Sequence, residues 1–211
     1  MSKSLALSAL PLFPLGTVLF PDGSLPLRIF EVRYLDMVQR CFKSGTPFGV
    51  VALQRGNEVR QAGANAEAFH TVGTLARITQ METPQPGLLV IQSIGMQRFQ
   101  LRSSEQLTHG LWVGDADLVD ADQTVAVPED LKHTVAALEQ LMVSLRDQQP
   151  PEEPLPMLEP YRLDDCGWVA NRWCELLPLP VSMKQSLMTL DNPLVRLELI
   201  GDLLSQHHIA N

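Results

Sequence analysis

Residues 10–34 read LPLFPLGTVLFPDGSLPLRIFEVRY, and this stretch decides the fold that the sequence predicts. Prolines at positions 11, 14, 21 and 26 exclude a helix there, because proline lacks the backbone N–H and its ring clashes with the preceding helical turn. Proline does occur at strand edges and strand starts, so the stretch predicts short extended pieces at residues 9–13, 17–20 and 25–30. Pro21-Asp22-Gly23 predicts a turn before the last piece, with Gly23 allowing a positive φ.

One helix is predicted directly after these pieces, at residues 31–44. Gly45 suits the left-handed position that ends a helix, and Pro47 prevents its continuation. Five apolar side chains recur at the spacing of a single buried helical stripe: Tyr34, Met37, Val38, Cys41 and Phe42.

Further strands are predicted after this helix. Gly95 is expected to separate two of them, and residues 84–87 are expected to form a hairpin turn. Residues 54–68 are polar and lack periodicity, so they predict a long loop, either a functional lid or a mobile segment. Many short strands around one helix indicate a small, strongly bent barrel. The predicted strands are residues 48–53, 69–81, 88–94, 96–102 and 111–119.

The second half of the chain predicts helices. The first two are expected at residues 128–147 and at residues 165–177, the latter with Asp164 or Asp165 as N-cap. Ser182 and Gln185 form the capping-box pattern of a third, short helix, and Asn192-Pro193 is expected to cap the last helix. The sequence therefore predicts an α+β chain. Its β-rich subdomain spans residues 1–122 and its helical subdomain spans residues 123–211.

Charge and cysteine content narrow the classes of function. Residues 1–120 are neutral, and residues 121–211 carry the whole net charge of −8. An acidic surface repels phosphates, which disfavours nucleic acids and anionic membranes as partners. Three cysteines are a poor disulfide framework and indicate a reducing compartment, so we expect the cytoplasm. No apolar run approaches the roughly 20 residues that a membrane-spanning helix needs.

Sequence signatures of catalysis are absent. The chain has no phosphate-binding P-loop, no dinucleotide-binding glycine motif, no nucleophile elbow and no zinc-protease motif. We therefore predict no catalytic residue, no cofactor and no metal site. Cys166 and Cys174 are interpreted as buried and inert. The adjacent His207 and His208 point to different helix faces, and Glu152 with Glu153 is interpreted as solvated linker charge.

Two stretches carry a resemblance to a known family: residues 10–34, and Gly95-Met96-Gln97-Arg98-Phe99. Together, and in the order of their elements, they resemble the N-terminal substrate-binding domain of the ATP-dependent Lon proteases. The resemblance implies a PUA-like β pseudo-barrel followed by a helical bundle. Many relatives have a proline where this chain has Val32, which should relax the helix start without changing the fold.

The same resemblance implies a function. The ATPase and Ser–Lys protease domains of a full Lon protease are missing from this sequence, so we expect a stand-alone, non-catalytic binding module. It would recognise unfolded or apolar protein segments or a partner protein, as an adaptor to a protease or chaperone. Two alternatives stay open. One is a small-ligand receptor or undetected enzyme that uses a cleft between barrel and helices; the other is RNA binding, which the neutral barrel and acidic helices disfavour.

The binding candidates fall into two groups. At the predicted strand–helix corner, Arg33 and Tyr34 either line a peptide groove or belong to a corner that Glu31 fixes by pairing with Arg28 or Arg98; we favour the second interpretation. Trp168 and Trp173 differ by five on one helix, so one is expected in the core and the other near a surface. Arg172 with Trp168 is either a partner contact or a cation–π packing pair. The full set is Arg28, Phe30, Glu31, Arg33, Tyr34, Arg98, Trp168, Arg172 and Trp173.

Overall fold

The computed structural model describes residues 6–56, 58, 67–148, 150 and 155–206. Among these residues it contains seven β-strands and five α-helices, so the predicted α+β class is confirmed. No helix in the described part of the chain is both long enough and apolar enough to cross a bilayer.

The chain divides into two compact units, Met1–Ala121 and Asp122–Asn211. This division lies one residue from the predicted boundary between residues 1–122 and 123–211. The first unit contains the seven strands and one α-helix. Its elements are β1 (Ala6–Leu15), β2 (Ser24–Ile29), α1 (Val32–Ser44), β3 (Phe48–Arg55), β4 (Ala68–Phe69), β5 (Val72–Gln85), β6 (Leu88–Gln106) and β7 (Trp112–Leu118).

Five strands of the first unit close into a ring in the order β1-β7-β6-β5-β3. Neighbours along this path are antiparallel, and a parallel pairing between β1 and β3 closes it, with Phe13 opposite Val50. The short β4 pairs with β3, and β2 lies outside the ring and pairs with β6. The β pseudo-barrel that the resemblance implied is therefore confirmed.

Two details of the barrel differ from the predictions. Residues 17–20 form no strand, and the carbonyl of the buried Leu19 accepts a hydrogen bond from Thr74 Oγ1 of β5 at 2.6 Å. Gly95 does not separate two strands, because β6 continues through it. A Cβ at Gly95 would lie 2.1 Å from the Phe20 carbonyl oxygen, so glycine is needed there for close approach of two backbone segments.

The turn before β2 forms where the sequence predicts it, although a different residue supplies the positive φ. Asp22 has φ 61°, while the Gly23 N–H closes the turn by donating to the Phe20 carbonyl at 3.0 Å. Aspartate tolerates the left-handed region because its short side chain can hydrogen-bond locally.

Helix α1 covers one end of the barrel core and ends at Gly45 in the left-handed conformation, as predicted. Tyr34 stacks on Phe13 with ring centroids 3.9 Å apart. Phe42, the last member of the predicted stripe, is partly exposed instead. The other four members are buried: Tyr34, Met37, Val38 and Cys41. Three phenylalanines of the barrel unit are buried as well: Phe13, Phe20 and Phe99.

The second unit begins with a short 3-10 helix, Glu129–Leu131, and then has four α-helices. Asp165 caps the second of these by accepting from the Gly167 N–H, and Asn192 caps the last, both as predicted. The predicted capping box is wrong, because Pro180 occupies the N-cap and Ser182 lies inside the helix. The helices are α2 (Lys132–Gln148), α3 (Cys166–Leu176), α4 (Val181–Met188) and α5 (Pro193–Gln206).

Helix α3 is the core of this unit and contacts α2, α4 and α5. Its residues from Cys166 to Cys174 are all buried, including Trp168 at 2% and Trp173 at 1% exposure. The prediction that one tryptophan lies near a surface is therefore wrong. A helix with neighbours on several sides buries its whole circumference, so the helical spacing of two residues does not decide their exposure.

Arg196 on α5 anchors the start of this unit. Its side chain is 1% exposed. Nη1 donates to Asp122 Oδ2 at 2.6 Å and to Asn171 Oδ1 at 2.9 Å, and Nε donates to the Leu187 carbonyl at 2.9 Å. Nη2 donates to the Leu190 carbonyl. The Arg196 guanidinium of α5 therefore links Asp122, the first residue of the unit, to α3 and to the C-terminal end of α4.

Replacing Arg196 with methionine or lysine should destabilise the second unit. Removing one partner of a buried charged pair typically costs about 3–5 kcal/mol, and a lysine ammonium cannot reproduce the planar fork of donors. Urea unfolding followed by tryptophan fluorescence measures the loss. The control is Lys132→Ala at an exposed pair with Glu129, where the expected change is below about 1 kcal/mol. Equal unfolding midpoints for Arg196→Met and wild type would contradict this prediction.

Candidate functional site

The corner where β2 passes into α1 brings four of the predicted binding residues together around a groove. Arg28, Phe30, Glu31 and Tyr34 line it, with Glu58 at one side. Its remaining lining is apolar and comes from β1 and β2: Phe13, Leu15, Leu27 and Ile29. The groove has a volume of about 70 Å³. Pockets for small ligands usually measure ~300–1,000 Å³, so this groove is of a size for a side chain rather than a whole small molecule.

Two large apolar side chains are exposed at this corner, and one of them, Phe30, lines the groove. Phe30 is 56% exposed and Val32 is 80% exposed, and the half-buried Glu31 lies between them in the chain. Val32 was not among the predicted binding residues. The sequence nevertheless contains a signal for it, since Val32 precedes the buried stripe of α1 without belonging to it, and an apolar residue off the stripe faces solvent.

Arg33 holds this corner from inside. Its Nε donates to Glu31 Oε2 and its Nη1 donates to Glu67 Oε1, each at 3.0 Å. Nη1 also donates to the Gly110 carbonyl and Nη2 to the Glu58 carbonyl, each at 3.3 Å. The guanidinium carbon lies 4.6 Å from the centre of the Tyr34 ring. All three nitrogens of this buried cation are thus engaged with the protein.

This network supports the interpretation of the corner as a structural element, with a correction to its partner. The sequence predicts a pair of Glu31 with Arg28 or Arg98, whereas in the structure Glu31 pairs with Arg33. Glu31 and Arg33 are only two residues apart. Their side chains can pair because Glu31 is the extended N-cap residue of α1, whereas Arg33 lies in the first helical turn. Glu67, the second carboxylate, was not predicted, because the sequence has no local pattern that joins residues 33 and 67.

The network keeps the Glu67 carboxylate and the Arg33 guanidinium charged at neutral pH. Burial raises the pKa of Glu67, but hydrogen bonds from its own backbone N–H, from Trp112 Nε1 and from Arg33 outweigh this, so its pKa lies below the ordinary value. Burial lowers the pKa of Arg33, and the neighbouring Tyr34, Glu67 and Glu31 more than compensate. Burial raises the pKa of Tyr34, which keeps its hydroxyl protonated.

Comparison with known proteins identifies the family. The model of the ATP-dependent protease La (LON) substrate-binding domain matches residues 9–206. The chain belongs to this family. A crystal structure of a Lon N-terminal domain protein from Xanthomonas campestris is 31% identical, with a TM-score of 0.69; the match covers 94% of this chain and 98% of that one. A search of the curated proteins found no match.

A second solved structure shows the same fold at greater distance. The N-terminal domain of a Mycobacterium avium complex Lon protease is 17% identical, with a TM-score of 0.57, and the match covers 94% of this chain and 99% of that one. The Lon family model describes a substrate-binding domain. The fold is therefore consistent with a substrate-binding module.

The remaining predicted residues do not join the corner of this Lon-type barrel. Arg98 is buried in β6, where its carbonyl accepts the Val119 N–H at 2.9 Å. In the other unit the Arg172 guanidinium lies 5.5 Å from the Trp168 ring, and Trp173 Nε1 donates to the Thr134 carbonyl at 3.0 Å. Arg172, Trp168 and Trp173 are all buried, so they do not present an exposed surface to a partner.

Two larger hollows contain none of the predicted residues. One of about 380 Å³ lies in the barrel unit beside Ala9, Ser103 and Asp115, and one of about 520 Å³ lies in the helical unit beside Val135 and Leu163. Neither is lined by histidine or cysteine. Over the ranges that the structure describes, no three His, Cys, Asp or Glu side chains are grouped for a metal ion. Glu152, Glu153, His207, His208 and most of the loop at residues 54–68 lie outside the described residues.

Acid should weaken the barrel through Glu67. A carboxyl whose pKa is lower in the folded state stabilises the fold fully above its unfolded pKa of about 4.3, and this stabilisation is lost as the pH falls through the lower folded value. Glu67→Gln should therefore be less stable than wild type at pH 7, and the difference should shrink as the pH is lowered below the unfolded pKa of about 4.3 and through the lower folded value. Urea midpoints at each pH measure it, with the exposed Glu82→Gln as control. A difference that stays constant across this range would contradict the assignment.

Proposed function

We propose that this chain binds unfolded or apolar segments of other proteins at the corner of its barrel. One observation carries the proposal: the exposed Phe30 lines a mainly apolar groove, and the exposed Val32 follows it two residues later in the chain. Exposed large apolar side chains that adjoin a concave surface mark interaction sites more often than scattered ones do. Aromatic side chains in particular contribute much of the energy of protein interfaces.

The buried Arg33 network suits this function. A binding surface gains affinity when it is already ordered before the partner arrives, because less conformational entropy is lost on binding. Arg33 and Glu31 fix the backbone between Phe30 and Val32, and Tyr34 stacks against the floor of the groove on Phe13. The two exposed side chains therefore project from a rigid support.

Membership of the Lon substrate-binding family supports a protein ligand over a small molecule. The size of the groove agrees, since about 70 Å³ accommodates part of a peptide and not a typical cofactor. We further propose that the chain acts in the cytoplasm and passes its clients to a protease or chaperone. RNA is disfavoured by the net charge of −8.

Binding to a permanently unfolded protein tests this proposal. The probe is dye-labelled carboxymethylated lactalbumin, and fluorescence anisotropy measures its affinity. Phe30→Ala combined with Val32→Ala should weaken binding at least tenfold, because truncation of a central aromatic contact commonly costs about 2 kcal/mol or more.

The matched control uses two exposed apolar residues of the other unit, Val143→Ala combined with Met183→Ala. This variant should bind as wild type does. The proposal is wrong if the wild-type chain does not bind the unfolded probe, or if the control variant loses affinity while the Phe30 and Val32 variant retains it.

A further inference from the structure

Strand β2 has one unpartnered edge. It pairs with β6 over its whole length, from Ser24 opposite Ile94 to Ile29 opposite Leu89. Among the described residues, no strand pairs with its other side. An unpaired strand edge presents backbone donors and acceptors that another chain can use.

The hydrogen-bond register decides which backbone groups face this edge. The Gly95 N–H donates to the Gly23 carbonyl at 2.8 Å, and the pairing of β2 with β6 continues this register. Because backbone groups alternate sides along an antiparallel pair, Leu25, Leu27 and Ile29 bond to β6. Pro26 has no N–H to donate to β6, which agrees with its place among the alternate residues whose backbone groups face away from β6. The carbonyl of Pro26 and both backbone groups of Arg28 therefore point to the free edge.

The groove lies along this same edge. Leu27, Arg28, Ile29 and Phe30 form one wall of it, and Phe13 and Leu15 of β1 form part of the rest. Strand addition to a sheet edge takes affinity from main-chain hydrogen bonds and specificity from pockets that receive alternate side chains. The corner thus combines the two elements that this kind of recognition requires.

Charge at the groove indicates which segment fits. Of the two carboxylates at the groove, Glu31 is ion-paired with Arg33. Glu58 keeps its negative charge, and its Oε1 accepts from the Gly16 N–H at 2.6 Å, directly after the end of β1. Arg28 is exposed, and no described residue forms an ion pair with it. Opposite charges on neighbouring strands stabilise pairing, and like charges oppose it. Arg28 is the charged residue of β2 itself, so the charge that an added strand meets on this edge strand is positive.

We infer that clients bind by adding an extended strand to the free edge of β2, with an apolar side chain in the groove and an acidic side chain beside Arg28. This inference rests on the proposed function and specifies the client as an extended, apolar and acidic segment. Pro26 limits the main-chain pairing to a short stretch around Arg28, which restricts edge-to-edge pairing into longer sheets.

Peptides with blocked amides test the main-chain part. The probe is a dye-labelled eight-residue peptide of alternating valine and threonine with one central glutamate. N-methylation of alternate amides removes the donors of one strand edge and leaves those of the other. One of the two methylated series should lose at least tenfold in affinity by anisotropy, and the other should bind within about threefold of the parent.

A charge swap tests the part assigned to Arg28. Replacing the central glutamate of the peptide with lysine should weaken binding to wild type severalfold, and Arg28→Glu should reverse the preference. Arg28→Gln is the second variant and should bind both peptides alike. Circular dichroism confirms that each variant is folded.

The outcomes separate this inference from the proposed function. If both methylated series bind equally, or if Arg28→Glu keeps the wild-type preference, strand addition at β2 is wrong while binding of unfolded lactalbumin through Phe30 still stands. If the peptide fails to bind although lactalbumin does, the inference is likewise overturned. If neither binds, both proposals fail. Light scattering measures whether the chain dimerises through this edge. A concentration-dependent dimer that is lost in Arg28→Glu would show that a second copy of the chain, and not a client, binds the free edge of β2, and would overturn the inference.

Discussion

The barrel unit depends on one buried cation, the guanidinium of Arg33. A cation removed from water is stable only when its donors are satisfied, and four segments of the chain supply the acceptors. These are the start of α1 at Glu31, the backbone at Glu58, the carboxylate of Glu67 and the turn between β6 and β7 at Gly110. Their convergence on one side chain orders the corner, and the exposed Phe30 and Val32 project from that ordered backbone.

Local patterns predicted the elements well because their physical causes are local. The prolines of residues 10–34 exclude a helix whatever surrounds them. Gly45 ends α1 because glycine, which has no Cβ, adopts the left-handed conformation without a steric penalty. Contacts between segments that are distant in the chain could not be predicted from local sequence patterns. Closing the barrel by a parallel β1–β3 pair, and the close approach of Phe20 to Gly95, depend on how distant segments fold together. The pairing of Arg196 with Asp122 spans 74 residues and has no local signal.

The candidate site shows the same limit. Arg28, Phe30, Glu31 and Tyr34 could be grouped in advance because they are neighbours in the chain. Trp168, Arg172 and Trp173 are a combination enriched at protein interfaces, yet here they form the core of the helical unit. Residue type alone does not distinguish these two uses, since a tryptophan buries a large apolar area in either setting. The structure therefore removes the aromatic helix from the candidate binding surface and leaves the barrel corner, where Phe30 is exposed.

The central claim is that unfolded segments bind at the corner between β2 and α1. The most direct measurement is a titration of the isotope-labelled chain with unlabelled carboxymethylated lactalbumin, followed by backbone amide chemical shifts in NMR spectra. If segments bind at this corner, the largest shifts will cluster at residues 27–32 and on the neighbouring groove residues Phe13 and Leu15. Shifts concentrated instead around Val135 and Leu163 in the helical unit, with the corner unchanged, would contradict it.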